Sequence, residues 1–144
     1  MNNKTYSAKA SEIQKKWYII DGAGKPLGRV AAEAAKLLKG KHKPTYSTHI
    51  DCGDHVIILN SDKVILTGDK LNKKVYTSFS GYIGGLKEVK AKDMMSKHST
   101  RAVTIAVKGM LPKNSLGRAM LTKLRVYTGA EHEQQAQKPE IWEF

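Results

Sequence analysis

Two short stretches of this 144-residue chain carry residues able to do chemistry. In "DGAGKPLGR", residues 21–29, Gly22, Gly24 and Gly28 surround Lys25 just ahead of an apolar-periodic segment, the composition of a turn that holds phosphates at a helix start. In "HIDCGDH", residues 49–55, His49, Asp51, Cys52, Asp54 and His55 offer nitrogen, sulfur and oxygen donors of the kinds zinc takes. Further on, Ser96, His98 and Ser99 bring hydroxyls beside an imidazole.

Spacing tests each of these. A dinucleotide turn needs Gly-x-Gly-x-x-Gly, whereas the three glycines here run Gly-x-Gly-x-x-x-Gly with Pro26 inside. The P-loop pattern also fails, because Lys25 is followed by Pro26 and not by Ser or Thr. The residues of "HIDCGDH" match no paired Cys or His spacing, and a strand beginning there sends Asp54 and His55 to opposite faces. A polar loop with Cys52 packed as a small apolar residue is the simpler reading. The Ser96–Ser99 stretch lacks a Gly-x-Ser-x-Gly elbow and reads as a helix start. No cofactor, metal, small-molecule substrate or catalytic residue is expected.

What survives is charge. Lys plus Arg total 25 against 13 Asp plus Glu, for a formal net charge of +12 and a pI of about 9.8. A field of that sign over so small a body favours polyanions. Residues 1–43 hold ten Lys/Arg and three acids, residues 97–125 hold seven and none, and residues 44–96 hold seven against six. The last fourteen residues reverse the sign, with four Glu against Lys138, so this acidic tail is not expected to follow the same polyanion.

The elements that position these charges follow from periodicity. "WYIID" predicts a strand over 16–21. Leu27, Val30, Ala31, Ala34 and Leu38 recur at helical spacing, with Pro26 in the first turn and Gly40 at the end. "HVIILN" predicts a strand over 55–60 buried on both faces, "KVILTG" a third over 63–68, and "LRVYTG" a returning strand over 124–129. Residues 69–90, polar and glycine-rich, read as a loop. Helices are expected over 99–110 and 115–123, the first burying Ala102, Ile105, Ala106 and Gly109. Strands alternating with helices indicate a single α/β domain with an at least partly parallel sheet.

Placed on these elements, the cations form two groups. Lys25 and Arg29 stand beside a helix amino terminus whose N–H groups suit a phosphate, and the helix runs into "KLLKGKHK", four Lys and a His in eight residues. Arg101, Thr104 and Lys108 share a stripe of the later helix, Lys113 lies in the turn, and Arg118 and Thr122 face outward from the next. A solvated basic face is the bland alternative for either group. The turn "GMLPKN" is too long for a duplex-reading helix-turn-helix, and the second helix has few side chains for base edges. Folded RNA, recognised by shape and backbone, needs neither. Tyr76, Phe79 and Tyr82 either stack on bases or pin their loop to the core.

A single cysteine excludes an internal disulfide, the first ten residues have no apolar core of the secretory kind, and the longest apolar runs span four residues. A soluble, cytoplasmic protein without membrane contact is the expectation.

"VKGMLPKNSLGRAM" (107–120), together with "IDGAGKPLGRVAAEAAKLLKGKHK", "DCGDHVIILNSDKVILTGDK" and "HEQQAQKP", resembles the L-thirteen family of large-subunit ribosomal proteins over nearly the whole chain. The resemblance implies a three-layer α/β/α domain with a mainly parallel four-stranded sheet over residues 1–144. Within that single domain a flexible basic amino-terminal segment, 1–15, and an acidic carboxy-terminal tail, 131–144, are expected. It implies a non-enzymatic protein of the large subunit that binds large-subunit rRNA, touches neighbouring ribosomal proteins and acts early in subunit assembly. The matching positions for RNA contact are Lys25, Arg29, Lys39, Lys41, His42, Lys43, Lys108, Lys113, Arg118 and Arg125.

Overall fold

The computed structural model describes residues 5–144. Its centre is a four-stranded sheet in which every pairing is parallel. Trp17–Asp21 (β1) feeds through the helix Leu27–Lys39 (α1) into His55–Leu59 (β2), with Trp17 opposite His55 and Asp21 opposite Leu59. Such a strand-helix-strand unit follows from the switch in apolar period from two to 3.6 along the chain. Gly40 closes α1 with φ +83°, and its N–H returns to the Lys36 and Leu37 carbonyls. A side chain there would be strained and would also meet the Cys52 backbone.

Residues 69–90 are not the loop their polarity suggests. A short helix, Lys70–Lys73 (α2), leads into an antiparallel hairpin of Val75–Phe79 (β3) and Leu86–Lys90 (β4), closed by "SGYIGG". Both faces of this ribbon are largely exposed, so the alternation that marks a half-buried strand is missing. Residues 63–68 differ in the other direction. They have strand composition, yet only Ile65 makes a bridge, with Pro26, after a 3-10 turn at Ser61–Lys63.

The helix Ala91–Met110 (α3) begins eight residues before the expected start and bends at His98 (φ −142°, ψ 53°), just where Ser99 was expected to open it. Its buried stripe is Ala102, Val103 and Val107, while Ile105 is 39% exposed and Gly109 faces solvent. The face that α3 turns to α1 therefore lies about one residue from the periodic reading. Ser115–Thr122 (α4) is capped by Asn114, whose side chain accepts the Gly117 N–H at 2.8 Å. Leu124–Val126 (β5) then pairs with β2, and Glu140–Ile141 (β6) takes the far edge beside β1, giving the order β5-β2-β1-β6. The fourth strand therefore comes from the carboxyl end and not from 63–68.

Tyr18, Ile20, Val56 and Ile58 on one sheet face pack with Val30, Ala34, Leu37 and Leu38 of α1, Val103 and Val107 of α3, and Met120 of α4. Each large aliphatic side chain removed from water here is worth about 1.5–3 kcal/mol. On the opposite face Ile57 is fully buried, and the Trp17 and His55 rings stack at 4.2 Å.

Candidate nucleic-acid interface

The glycine turn at 22–28 spends most of its N–H groups within the chain. Gly22 N–H donates to Leu59 O, Gly24 to Lys63 O, Lys25 to Gly22 O, Leu27 to Ile65 O and Arg29 to Pro26 O. Ala23 N–H donates to Asp21 Oδ1, which also accepts from Asn60 Nδ2 at 2.9 Å. Those two hydrogen bonds hold the Asp21 carboxyl below its usual range. Three of the donors, from Gly22, Gly24 and Leu27, are consumed by the chain at 59–65, which the sequence pattern does not place here, and those of Ala23, Lys25 and Arg29 are consumed within the turn. The side chains remain: Arg29 is exposed, and Lys25 Nζ stands 3.9 Å from the centre of the Phe144 ring.

"HIDCGDH" has a structural task. Asp54 is fully buried, and its two carboxylate oxygens lie 2.6 Å from Lys43 Nζ and 2.8 Å from His42 Nε2. Lys43 Nζ also donates to the Gln14 and Cys52 carbonyls at 2.8 and 3.1 Å. Asp51 Oδ1 lies 2.6 Å from Lys123 Nζ, and Asp51 Oδ2 lies 3.3 Å from Lys15 Nζ. Burial works to raise the Asp51 carboxyl, but the Lys123 hydrogen bond and charge, with Lys15, outweigh it and hold it below the usual range. Burial also draws the Lys123 ammonium below its ordinary value, although Asp51 pushes the other way. Among the described residues no group of three or more His, Cys, Asp or Glu could hold a metal.

His42 and Lys43 thus point inward. The other eight positions named from the sequence keep their charge at or near the surface. Lys39 lies 6.0 Å from the Tyr46 ring centre, Lys41 is exposed, and Arg125 is exposed with Nη1 on the Thr122 and Leu124 carbonyls at 3.0 and 3.2 Å. Lys108, Lys113 and Arg118 are all exposed. Among the described residues none of these eight pairs with a carboxylate, within the 4.0 Å that defines an ion pair.

Helix packing brings the two basic segments together. Met110, at the end of α3, borders one groove with Lys36, Lys39 and Lys41 and another with Gly28, Lys70 and Lys74. On the other side of the same helix end, Lys108, Lys113 and Arg118 surround a cleft of about 480 Å³. Lys70 and Lys74 carry no site signal in the sequence beyond their charge, because the residues around them read as loop. The α3–α4 turn that sets this cleft depends on Gly117, where a Cβ would overlap the Pro112 carbonyl. The result is a surface of cations spaced over helices, a turn and a hairpin base, suited to a branching phosphate backbone and without the groove-entering helix that duplex DNA needs.

Comparison with known proteins identifies relatives over nearly the whole chain. A family model described as "Ribosomal protein L13" matches residues 15–133. The chain is 58% identical over 138 residues to "Large ribosomal subunit protein uL13" of Ruminiclostridium cellulolyticum, covering 96% of each chain. It is 58% identical over 140 residues to the protein of the same name in Geobacillus kaustophilus, and 54% identical over 140 residues to that of Exiguobacterium sibiricum, covering 97% of each chain in both cases.

Proposed function

The chain belongs to the ribosomal protein L13 family, and from that premise we propose that its outward cations hold large-subunit ribosomal RNA by its phosphates. The family is structural and non-enzymatic, and its members are proteins of the large ribosomal subunit, in the cytoplasm. In this reading the domain acts as a rigid positive spacer. Lys25, Arg29, Lys39, Lys41, Lys108, Lys113, Arg118 and Arg125 neutralise phosphates of rRNA segments that repel one another, which lets those segments close early in subunit assembly. Neighbouring large-subunit proteins complete its surroundings.

The observation that carries the proposal is the sorting of the cations. Lys123 is buried on Asp51 and Lys43 is half-buried on Asp54, whereas Lys108, Lys113 and Arg118 stand exposed with no carboxylate among the described residues. A surface meant only for solubility has no reason to collect cations without acids at one helix end. Co-sedimentation of the full chain with large subunits, followed by release as salt rises, tests it. Failure to co-sediment at low salt overturns it.

A further inference from the structure

The cleft between the end of α3 and α4 has a volume of about 480 Å³, within the range of pockets that take small organic groups. Ile105, Leu111, Pro112 and Leu121 form an apolar floor, and Lys108, Lys113 and Arg118 stand around it. Phosphate alone needs cations and donors, and gains nothing from such a floor. A flat apolar group tied to an anion by a short tether uses both. Resting on the rRNA-binding reading above, we propose that this cleft receives one unstacked base of the RNA, with the flanking phosphates on Lys108, Lys113 and Arg118.

The parts fit that occupant. Arg118 has no protein partner among the described residues, so its planar guanidinium is available to stack on a base or fork onto a phosphate. Asn114, which lines the cleft, spends its carbonyl oxygen on the Gly117 N–H at 2.8 Å, and its amide nitrogen has no protein partner among the described residues, which leaves a donor for a base edge. Gly109 puts no side chain over the opening, since a Cβ there would meet nothing within 4 Å. A peptide of a neighbouring protein would need acidic side chains spaced to meet three cations, whereas each nucleotide brings its own phosphate.

The test compares the full-length protein with Ile105→Trp and Gly109→Leu, two positions bordering the cleft. Ile105 is 39% exposed and Gly109 opens on free space, so both variants keep the core. Base reactivity and backbone cleavage of bound large-subunit rRNA are read side by side. One or two bases protected by the unmodified protein are expected to regain reactivity with both variants, with affinity down about tenfold, the loss of one stacked base. The salt dependence of binding stays the same. Unchanged base reactivity and affinity overturn the proposal while leaving rRNA binding intact. Loss of a neighbouring ribosomal protein from reconstituted subunits, with RNA reactivity unchanged, assigns the cleft to protein and also overturns it. An unmodified chain that leaves no backbone footprint fails the underlying reading, a distinguishable result.

Discussion

Lys43 Nζ lies 2.6 Å from the carboxylate of Asp54, a residue with no exposed surface, and both belong to stretches whose composition suggests ligand chemistry. The pair joins the end of the lysine-rich run after α1 to the start of β2. It ties the chain down before the sheet, and it removes one cation from the surface.

Lys43→Ala is therefore expected to act on stability and not on RNA contact. Removing one partner of a fully buried ion pair costs about 3–5 kcal/mol, because the remaining charge stays buried without compensation. Lys43 is only half-buried, and the Lys16 N–H and His42 still face Asp54, so the expected cost is about 2–3 kcal/mol. Urea unfolding should show a loss of that size, with no change in the salt slope of rRNA affinity measured well below the melting temperature. A loss under about 1 kcal/mol, as for an exposed pair, would return Lys43 to the surface.

The triple variant Lys108→Ala, Lys113→Ala, Arg118→Ala should do the reverse. All three are exposed, so the unfolding midpoint should hold. If each contacts one phosphate, the slope of log affinity against log salt should fall by about 0.7–0.9 per residue. An unchanged slope in filter binding over a salt series would remove this helix end from the interface.

Two glycines eight residues apart, Gly109 and Gly117, differ in cost. Gly117→Ala drives a methyl group into the Pro112 carbonyl and should destabilise by about 1–3 kcal/mol while displacing Arg118. Gly109→Ala has open space and sits in helix, so it should stabilise by about 0.5–1 kcal/mol. Thermal unfolding of the two variants checks both signs, and equal effects would sink the close-approach argument.

Acid should weaken the fold in two stages. Burial, helped by the charges of Lys123, Lys15 and Arg125, draws the His55 imidazole below its ordinary value. The unfolded chain then takes the proton first, so this contribution is complete above about pH 6.5 and fades below it. Asp51 is held below the ordinary carboxylate value, so its contribution is present above about pH 4 and is lost as pH falls through the folded value. His55→Asn should flatten the first limb of a stability–pH curve and Asp51→Asn the second. Limbs that persist in these variants would assign the acid sensitivity to other groups.

The parts of the fold with strong periodicity were legible before the structure. β1, α1, β2 and α4 appear within a residue or so of their patterns, because each buries a face whose period matches its element. The hairpin β3–β4 was not, since neither face is buried and no alternation is imposed. β6 is two residues long, too short to show any period, and exists because β1 leaves an edge open to the Trp142 segment, whose N–H bonds Ile19 O at 2.8 Å. The stretch at 63–68 had the composition of a strand, but β5 occupies the outer edge of β2 and leaves it only the bridge to Pro26.

By itself the amino-acid sequence determined the sign of the charge, the α/β class and the two segments where cations gather, because these depend on local composition and periodicity. Only the tertiary structure decided which cations reach a partner. Lys43 and Lys123 are spent on Asp54 and Asp51, 11 and 72 residues away along the chain, while the Gly22, Gly24 and Leu27 N–H groups around Lys25 are spent on residues 59–65. Charge pairing depends on distance in space, and distance in space is set by how the sheet and helices pack.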